Sequence, residues 1–553
     1  MESIKTMPVS PYWAYQADAA QTRDYAPGEL FAYGVALHPD KLAINDGKRH
    51  YTFAQLEAMA TRLAHWLAAQ GVSAGGRVPV LSEKHALMPV IAAACWKLGA
   101  VYVPLDGQLP ENRLRKLLAR LSGRVVLALS RAPLADTDTG TWLNGEALMN
   151  VCETGPVAPL ACVVPQDDDT AYIIFTSGST GEPKGVEISV GSMKTYFRAH
   201  NEVLRFTPDS RVFSLSPFHF DVSIEDTLLP LSLGAYVYQF ASLHAGPVMR
   251  AAIAREQITH LIAVSTLLTL ITEGGKQISS AHFASLQMVM TGAEVCDPKI
   301  INLWKQNLPG IRLINAYGPT ETTIVCLCYT IEQADPQRLT SWPVGKPLRD
   351  VDCLVLGDDG EPALPETPGE LCIGGPLVMK GYLGQPQETA KVIFVRDGVR
   401  YYRTGDICLM QTDGNVRYIG RRDDEVKIAG RRIHLGEIRQ KCLSSAGVER
   451  AAVRVMEVRG KAHIAVVLTG KNVARLPHIE EYLRSELPSY MLPAIWGWAD
   501  DVNLSSTGKT DERTLLDQLF SAANATPCRY FQRPEGDTFI PLNGVGYESA
   551  IPL

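Results

Sequence analysis

What most constrains this sequence is the alternation of two hydrophobic periods along its first three hundred residues. From Tyr51 to Gly71 apolar residues recur at helical spacing (Leu56, Met59, Ala60, Leu63, Leu67), and the strand-like Val78 to Leu81 follows. A further helical stretch leads into strand-like Ala100 to Pro104, and the rhythm continues through Ala171 to Phe175, Leu261 to Val264, Gln287 to Met290 and Ile311 to Asn315. Short apolar strands separated by helices are the sequence form of βαβ crossovers, so the fold class expected is α/β with mainly parallel sheets. Beyond Gly420 the texture changes. Charged Arg421 to Arg432 precedes strand-like Ala451 to Met456 and Ile464 to Leu468 and helical Ile479 to Leu487. A large domain over 1–420 and a smaller α+β domain over 421–553 are expected, since 553 residues exceed what one core serves.

Composition narrows the partners. A net charge of -6 leaves no basic footprint for nucleic acid, and no Lys/Arg block adjoins an apolar helix. No apolar run reaches membrane-spanning length, and Met1 to Asp24 lack a signal-type core, so a cytoplasmic chain without membrane insertion is expected. Eleven scattered cysteines, without a CxxC pair or zinc-ligand spacing around Cys326 and Cys328, read as reduced and mostly buried thiols.

The densest local signal is Thr176-Ser177-Gly178-Ser179-Thr180-Gly181-Glu182-Pro183-Lys184-Gly185, placed directly after the apolar strand ending at Phe175. Small residues bring backbone N–H groups close to phosphate oxygens, hydroxyls add donors, and a lysine adds charge. It is not the P-loop pattern, because Pro183 stands where that pattern needs glycine. Gly508-Lys509-Thr510 copies only the end of that pattern, with Asn503 at its first glycine position.

The Thr176–Gly185 loop resembles the signature of the adenylate-forming superfamily, which unites acyl-CoA synthetases, firefly-type luciferases and nonribosomal peptide synthetase adenylation domains. Further stretches follow in family order: Tyr51 through Leu67, Leu98 to Asp106, Asn315-Ala316-Tyr317-Gly318-Pro319-Thr320-Glu321, Gly369-Glu370-Leu371, Tyr402 to Asp406, Gly420 to Asp423 and Ser506 to Lys509. The resemblance implies a small C-terminal domain that is mobile about a hinge at Asp423. It implies ATP and Mg²⁺ as cofactors, with Lys509, Lys184, Thr320 and Glu321 as catalytic residues and Glu321 holding the metal. It places Thr176, Ser177, Gly178, Thr180, Gly292, Ala293, Glu294, Asn315, Ala316, Tyr317, Gly318, Thr320, Asp406, Arg421 and Lys427 around the nucleotide. Tyr317 would stack on adenine and Asp406 would accept from the ribose hydroxyls. Such chemistry rests on positioning and charge neutralisation. Glu425, His434 and Arg439 depart from the usual family residues.

Pro217 to Ser223 resembles the adenylation-domain motif whose aspartate, here Asp221, pairs with the α-ammonium of an amino acid. A buried ammonium needs a counter-charge, whereas a fatty acid does not. Asp221 as a helix N-cap ahead of Leu228 to Leu233 is the competing reading. The family's pocket positions fall on Asp221, Val222, Glu225, Ala263, Met290, Gly292, Ala316, Ile324, Val325 and Lys509. Small and apolar positions suit glycine or another small amino acid, while Glu225 suits the basic side chain of a diamino acid. The layout resembles stand-alone ligases, among them the glycyl carrier-protein ligase of lipid A modification. The activity expected is formation of an aminoacyl-AMP and transfer to the phosphopantetheine thiol of a separate carrier protein. An acyl- or aryl-CoA synthetase is the alternative.

Overall fold

The computed structural model describes residues 27–542 apart from 135–139, 156, 179–181, 242–245, 295–297, 339, 423–424, 459, 471, 500–511, 527 and 534–537. Lys509, Thr180 and Asp423 therefore lie outside the described residues. Two compact units emerge. The first gathers 1–107, 121–175 and 185–422, and the second gathers 108–120, 176–184 and 423–553.

Three sheets build the first unit. In the largest, nine strands run in the order Lys346–Pro347, Leu327–Ile331, Arg312–Tyr317, Met288–Gly292, His260–Ile262, Arg211–Ser214, Tyr236–Gln239, Leu42–Asn45 and His50–Thr52. Its central strands, from Arg312–Tyr317 to Leu42–Asn45, pair in parallel, and antiparallel strands close both edges. A seven-stranded sheet orders Gly381–Tyr382, Lys184–Ser189, Thr170–Thr176, Val101–Asp106, Arg77–Ser82, Val125–Ala128 and Thr141–Asn144. Burial on both faces is why these strands read as unbroken apolar runs. The helix Phe53–Ala69 starts at Thr52, whose hydroxyl and the side chain of Gln55 form a reciprocal capping box. The third sheet is antiparallel and centres on the long strand Val399–Met410, with Val416–Arg421 paired beside it.

In the second unit, Val448–Val458, Lys461–Gly470, Ile495–Ala499, Tyr530–Arg533 and Ile540–Pro541 form one five-stranded sheet. Its two faces are covered by the helices Leu435–Leu443 and Leu476–Glu486, and by Glu512–Ala525, through two apolar clusters. The charged stretch after Arg422 is a β-hairpin, Glu425–Ile428 paired with Arg431–His434. All ten described cysteines are unbridged and six are buried. No described helix is long and apolar enough to cross a membrane.

Candidate functional site

The first unit brings one cluster of acidic site residues together. Asn315-Ala316-Tyr317 ends a central strand of the nine-stranded sheet, and the chain turns through Gly318 into the short 3₁₀ turn Thr320–Thr322. A Cβ on Gly318 would stand 2.4 Å from the carbonyl oxygen of Ile324 and 2.6 Å from Val325 Cα, so only glycine fits. Thr323 and Ile324 hold φ of 57° and 73°, a left-handed conformation costing roughly 1–3 kcal/mol for each β-branched residue. They persist because the loop is pinned. The Cys326 N–H donates to Tyr317 O at 2.8 Å, and the Thr323 hydroxyl donates to Leu377 O at 2.7 Å.

Thr320 and Glu321 are thereby fixed beside Asp221. The Thr320 hydroxyl and the Val222 N–H both hydrogen-bond to the Asp221 carboxylate, which is buried. Burial pushes the Asp221 carboxyl above its ordinary value, the negative charge of Glu321 pushes the same way, and the hydrogen bonds oppose them. No lysine, arginine or histidine among the described residues pairs with Asp221. Asp221 directly precedes helical Val222 and Ser223, and its carboxylate accepts from the Val222 N–H as well as from Thr320, so its place ahead of the helix and its contact with Thr320 coexist. Glu321 is buried as well, and accepts from the Tyr382 hydroxyl at 2.8 Å.

Asp221 sits on a well-braced turn. Next in sequence is a π-helical turn, Ile224–Leu228, a form that recurs at functional sites. Asp226 braces it, accepting from the N–H groups of Leu215 and Ser216 at 3.0 and 2.9 Å and from the Ser214 and Thr227 hydroxyls at 2.9 and 2.7 Å. Half-buried Lys84 donates to Ser214 Oγ and Ser216 O, both at 2.7 Å, and desolvation lowers its ammonium to about 8. Glu225 is also wholly buried, accepting from the Tyr196 hydroxyl at 2.7 Å.

The remaining expected pocket positions lie on the adjoining sheet, on the loop after Thr323 and beside Asp221. Gly292 pairs with Ala316 and Ala316 with Cys328, so these small residues form one cross-strand row. Met290 lies two residues before Gly292 on the same face, and Ala263 N–H donates to Met290 O at 3.0 Å. Ala263, Met290, Ala316, Ile324 and Val325 are buried, and Val222 is half-buried.

Asp406 lies on the third sheet, opposite Arg421 in register. Arg421 Nη1 donates to Asp406 Oδ1 at 2.9 Å, and the Tyr317 hydroxyl donates to Oδ2. Tyr317 is thus held by its hydroxyl, and burial with the Asp406 charge raises its phenol well above the ordinary value. Two expected nucleotide residues have structural partners. The Glu294 carboxylate takes the Thr266 N–H and hydroxyl, both at 2.9 Å, at the start of helix Ser265–Ile271. The Asn315 amide donates to Trp342 O and Pro343 O at 3.3 and 2.8 Å. Ala293, between Gly292 and Glu294, has a φ of 61°.

The glycine-rich loop belongs to the second unit. Ser177 Oγ donates to Arg432 O and accepts from His434 N–H, each at 3.1 Å, so this hydroxyl is held by the hairpin. Thr176 has a buried hydroxyl without a hydrogen-bond partner among the described residues. A Cβ on Gly178 would lie 2.2 Å from Glu182 O and 3.4 Å from Lys184 Cγ, so Gly178 stands directly against the Glu182 backbone. Lys427 lies on the hairpin opposite Arg432, and Glu425 pairs with Arg432 at 2.6 Å. His434 Nδ1 accepts from the Gly436 N–H at 3.1 Å and caps helix Leu435–Leu443. Sequence reasoning missed Tyr382, Tyr196, His200 and Cys328. Only the Tyr196–His200 spacing of four residues hinted at a shared helix face.

Comparison with known proteins agrees with this arrangement. The family described as AMP-binding enzyme matches residues 31–383. The chain is 32% identical over 517 residues, 92% of its length, to the probable non-canonical nonribosomal peptide synthetase CymA of Salinispora arenicola, and spans 6% of that protein. Among solved structures, holo-PA1221, a nonribosomal peptide synthetase protein with adenylation and PCP domains bound to a vinylsulfonamide inhibitor, superposes with TM-score 0.76. It is 25% identical, covering 88% of this chain and 83% of that one. The o-succinylbenzoate CoA synthetase MenE of Bacillus subtilis shares the fold, with TM-score 0.76, 23% identity and coverage of 88% and 98%. With more than half its length matched and the fold shared, the chain belongs to the AMP-binding enzymes of the adenylate-forming superfamily, and carries the fold of nonribosomal peptide synthetase adenylation domains.

Proposed function

We propose that the chain activates an amino acid with ATP to an aminoacyl-AMP and passes the acyl group to the phosphopantetheine thiol of a separate carrier protein. The observation that carries the amino-acid assignment is Asp221: a buried carboxylate, held by Thr320 and the Val222 N–H, with no basic partner among the described residues. Such a group is costly to bury alone and is matched by a ligand ammonium. The carboxylate oxygen of the substrate attacks the α-phosphorus, the bond to pyrophosphate breaks, and the acyl-adenylate forms. A carrier thiolate then attacks the acyl carbon, and AMP leaves.

Thr320, one residue from Glu321 and bonded to Asp221, links the two reactants. It would orient an α-phosphate oxygen while Asp221 holds the amino end. Asp406, with Arg421 and Tyr317 fixing both its oxygens, would accept from the ribose, and Tyr317 would flank the base. Thr176, Ser177, Gly178 and Thr180 would cradle the outer phosphates with Lys184. Lys509 would stabilise the charge that moves between carboxylate and phosphate. The residues fit Mg²⁺ shared with phosphates. No three-residue acidic or imidazole cluster occurs among the described residues, and Glu321 offers one buried carboxylate, which suits an ion otherwise bound by phosphate and water. When bound, the ion neutralises phosphate charge.

In this reading residues 1–420 hold both substrates and residues 421–553, hinged at Asp423, bring Lys509 in and out. Exchange of labelled pyrophosphate into ATP, run over all amino acids and several fatty and aryl acids, tests it. Amino-acid-dependent exchange is expected. Exchange with fatty or aryl acids alone would transfer the chain to the CoA-synthetase reading.

A further inference from the structure

Glu225 is built differently from its neighbour Asp226, although both are wholly buried on the same π-helical turn. Asp226 has four hydrogen bonds, which account for it as a structural group. Glu225 has one, from the Tyr196 hydroxyl to Oε2 at 2.7 Å, and Oε1 has no partner among the described residues. Leaving a buried carboxylate oxygen unmatched is costly, so a fold that satisfies Asp226 fully and Glu225 by half leaves room for an external donor.

A relay stands behind Glu225. Tyr196 Oη lies 2.6 Å from His200 Nδ1, and His200 Nε2 lies 3.7 Å from Cys328 Sγ. With the Tyr196 proton given to Glu225, the other two follow: His200 Nδ1–H donates to Tyr196, and the Cys328 thiol donates to Nε2. Burial drives the imidazole down to about 3, so His200 is neutral and supplies no counter-charge at its 3.9 Å distance from Glu225. No lysine or arginine among the described residues pairs with Glu225 either. The relay ends on Cys328, directly across from Ala316 in the Gly292–Ala316–Cys328 row. It therefore joins this small-residue row of the sheet to the acidic turn. Asp221 lies four residues before Glu225, just ahead of the π-helical turn, and is near enough for its charge to act on the Glu225 carboxyl.

Resting on the amino-acid reading above, we propose that Tyr196, His200 and Cys328 are positioning residues that hold Glu225 with Oε1 open to the substrate, and that the substrate is an amino acid with a second amino group on its side chain. Two neighbouring buried carboxylates, with no lysine or arginine paired to either among the described residues, match a ligand with two ammonium groups. The α-ammonium takes Asp221, and the distal one takes Glu225.

The test is pyrophosphate exchange by the full-length protein and its Glu225→Gln and Tyr196→Phe variants, with glycine, alanine, 2,4-diaminobutyrate, ornithine and lysine. The wild type is expected to exchange best with a diamino acid. Glu225→Gln should raise KM for that substrate on the order of 10- to 100-fold, with the ATP KM within about twofold. Tyr196→Phe, which keeps the ring, should raise the same KM by about three- to tenfold and narrow the preference over glycine, a selectivity change that a purely structural hydroxyl would not produce. Wild-type exchange best with glycine or alanine, or a diamino-acid KM unmoved by either variant, would overturn this inference and leave the amino-acid reading intact. Exchange with no amino acid would overturn both.

Discussion

Asp221→Asn separates charge from shape at the residue on which the substrate assignment rests. The amide keeps the size of the carboxylate and an oxygen for the Thr320 hydroxyl and Val222 N–H, so the turn keeps its geometry. It loses the counter-charge for a buried ammonium. Breaking a buried ion pair by removing one partner costs about 3–5 kcal/mol, or roughly 10²- to 10³·⁵-fold at about 1.4 kcal/mol per decade. That loss should fall on kcat/KM for the amino acid, with the ATP KM nearly unchanged. The free enzyme responds in the opposite sense. Asp221 is buried beside Glu321 with no cation paired to it among the described residues, and its raised pKa reports that the ionised form is disfavoured in the fold. Its neutral replacement should leave Tm equal to or above that of the wild type. Pyrophosphate exchange against amino-acid concentration and thermal unfolding of the ligand-free protein are the two assays. Exchange unchanged by the substitution would refute the ammonium assignment. A fall in Tm that tracks the loss of exchange would make Asp221 a structural residue.

Glu225→Gln should change how stability depends on pH. Burial raises this carboxyl from its ordinary value to about 8, so between pH 5 and 8 the folded wild type holds a proton that the unfolded chain has lost. Wild-type stability present at low pH is therefore lost as pH rises toward 8, by an amount on the order of a few kcal/mol, and the Tm advantage of the glutamine variant should widen over that window. Gly318→Ala would drive a methyl into Ile324 O at 2.4 Å in a loop already strained at Thr323 and Ile324, and both Tm and adenylation should fall, read by thermal unfolding and exchange. Lys509→Ala should lower the exchange kcat on the order of 10²-fold or more with nucleotide binding nearly intact, measured by titration with ATP.

The readings from sequence succeed where information is local. Parallel strands buried on both faces are apolar runs, so Ala171 to Phe175 falls within the strand Thr170–Thr176, and Ile311 to Asn315 overlaps Arg312–Tyr317 in all but its first residue. Arg421 to Arg432 has no such mark. Its hairpin packs only Val426, Ile428 and Ile433 into the core of the second unit, and the charged residues that alternate with them, such as the Glu425–Arg432 pair, mask that face in the sequence. Tyr317 shows a different limit. The motif gives an aromatic ring, but its hydroxyl partner Asp406 lies 89 residues later in another sheet, and Asp406 in turn depends on Arg421 across a strand pair. The relay behind Glu225 draws on a helix, a π-helical turn and an edge-side strand, and none of its members stands out in sequence. A motif can therefore name the carboxylates of a site, whereas their charge state follows from what the fold leaves beside them. Asp226, alongside Glu225 in sequence, is satisfied by two backbone amides and two hydroxyls, while Glu225 is given one phenol and a neutral imidazole. That inequality between adjacent acids is a tertiary property, and it makes the second carboxylate, rather than the first, the group that distinguishes one amino acid from another.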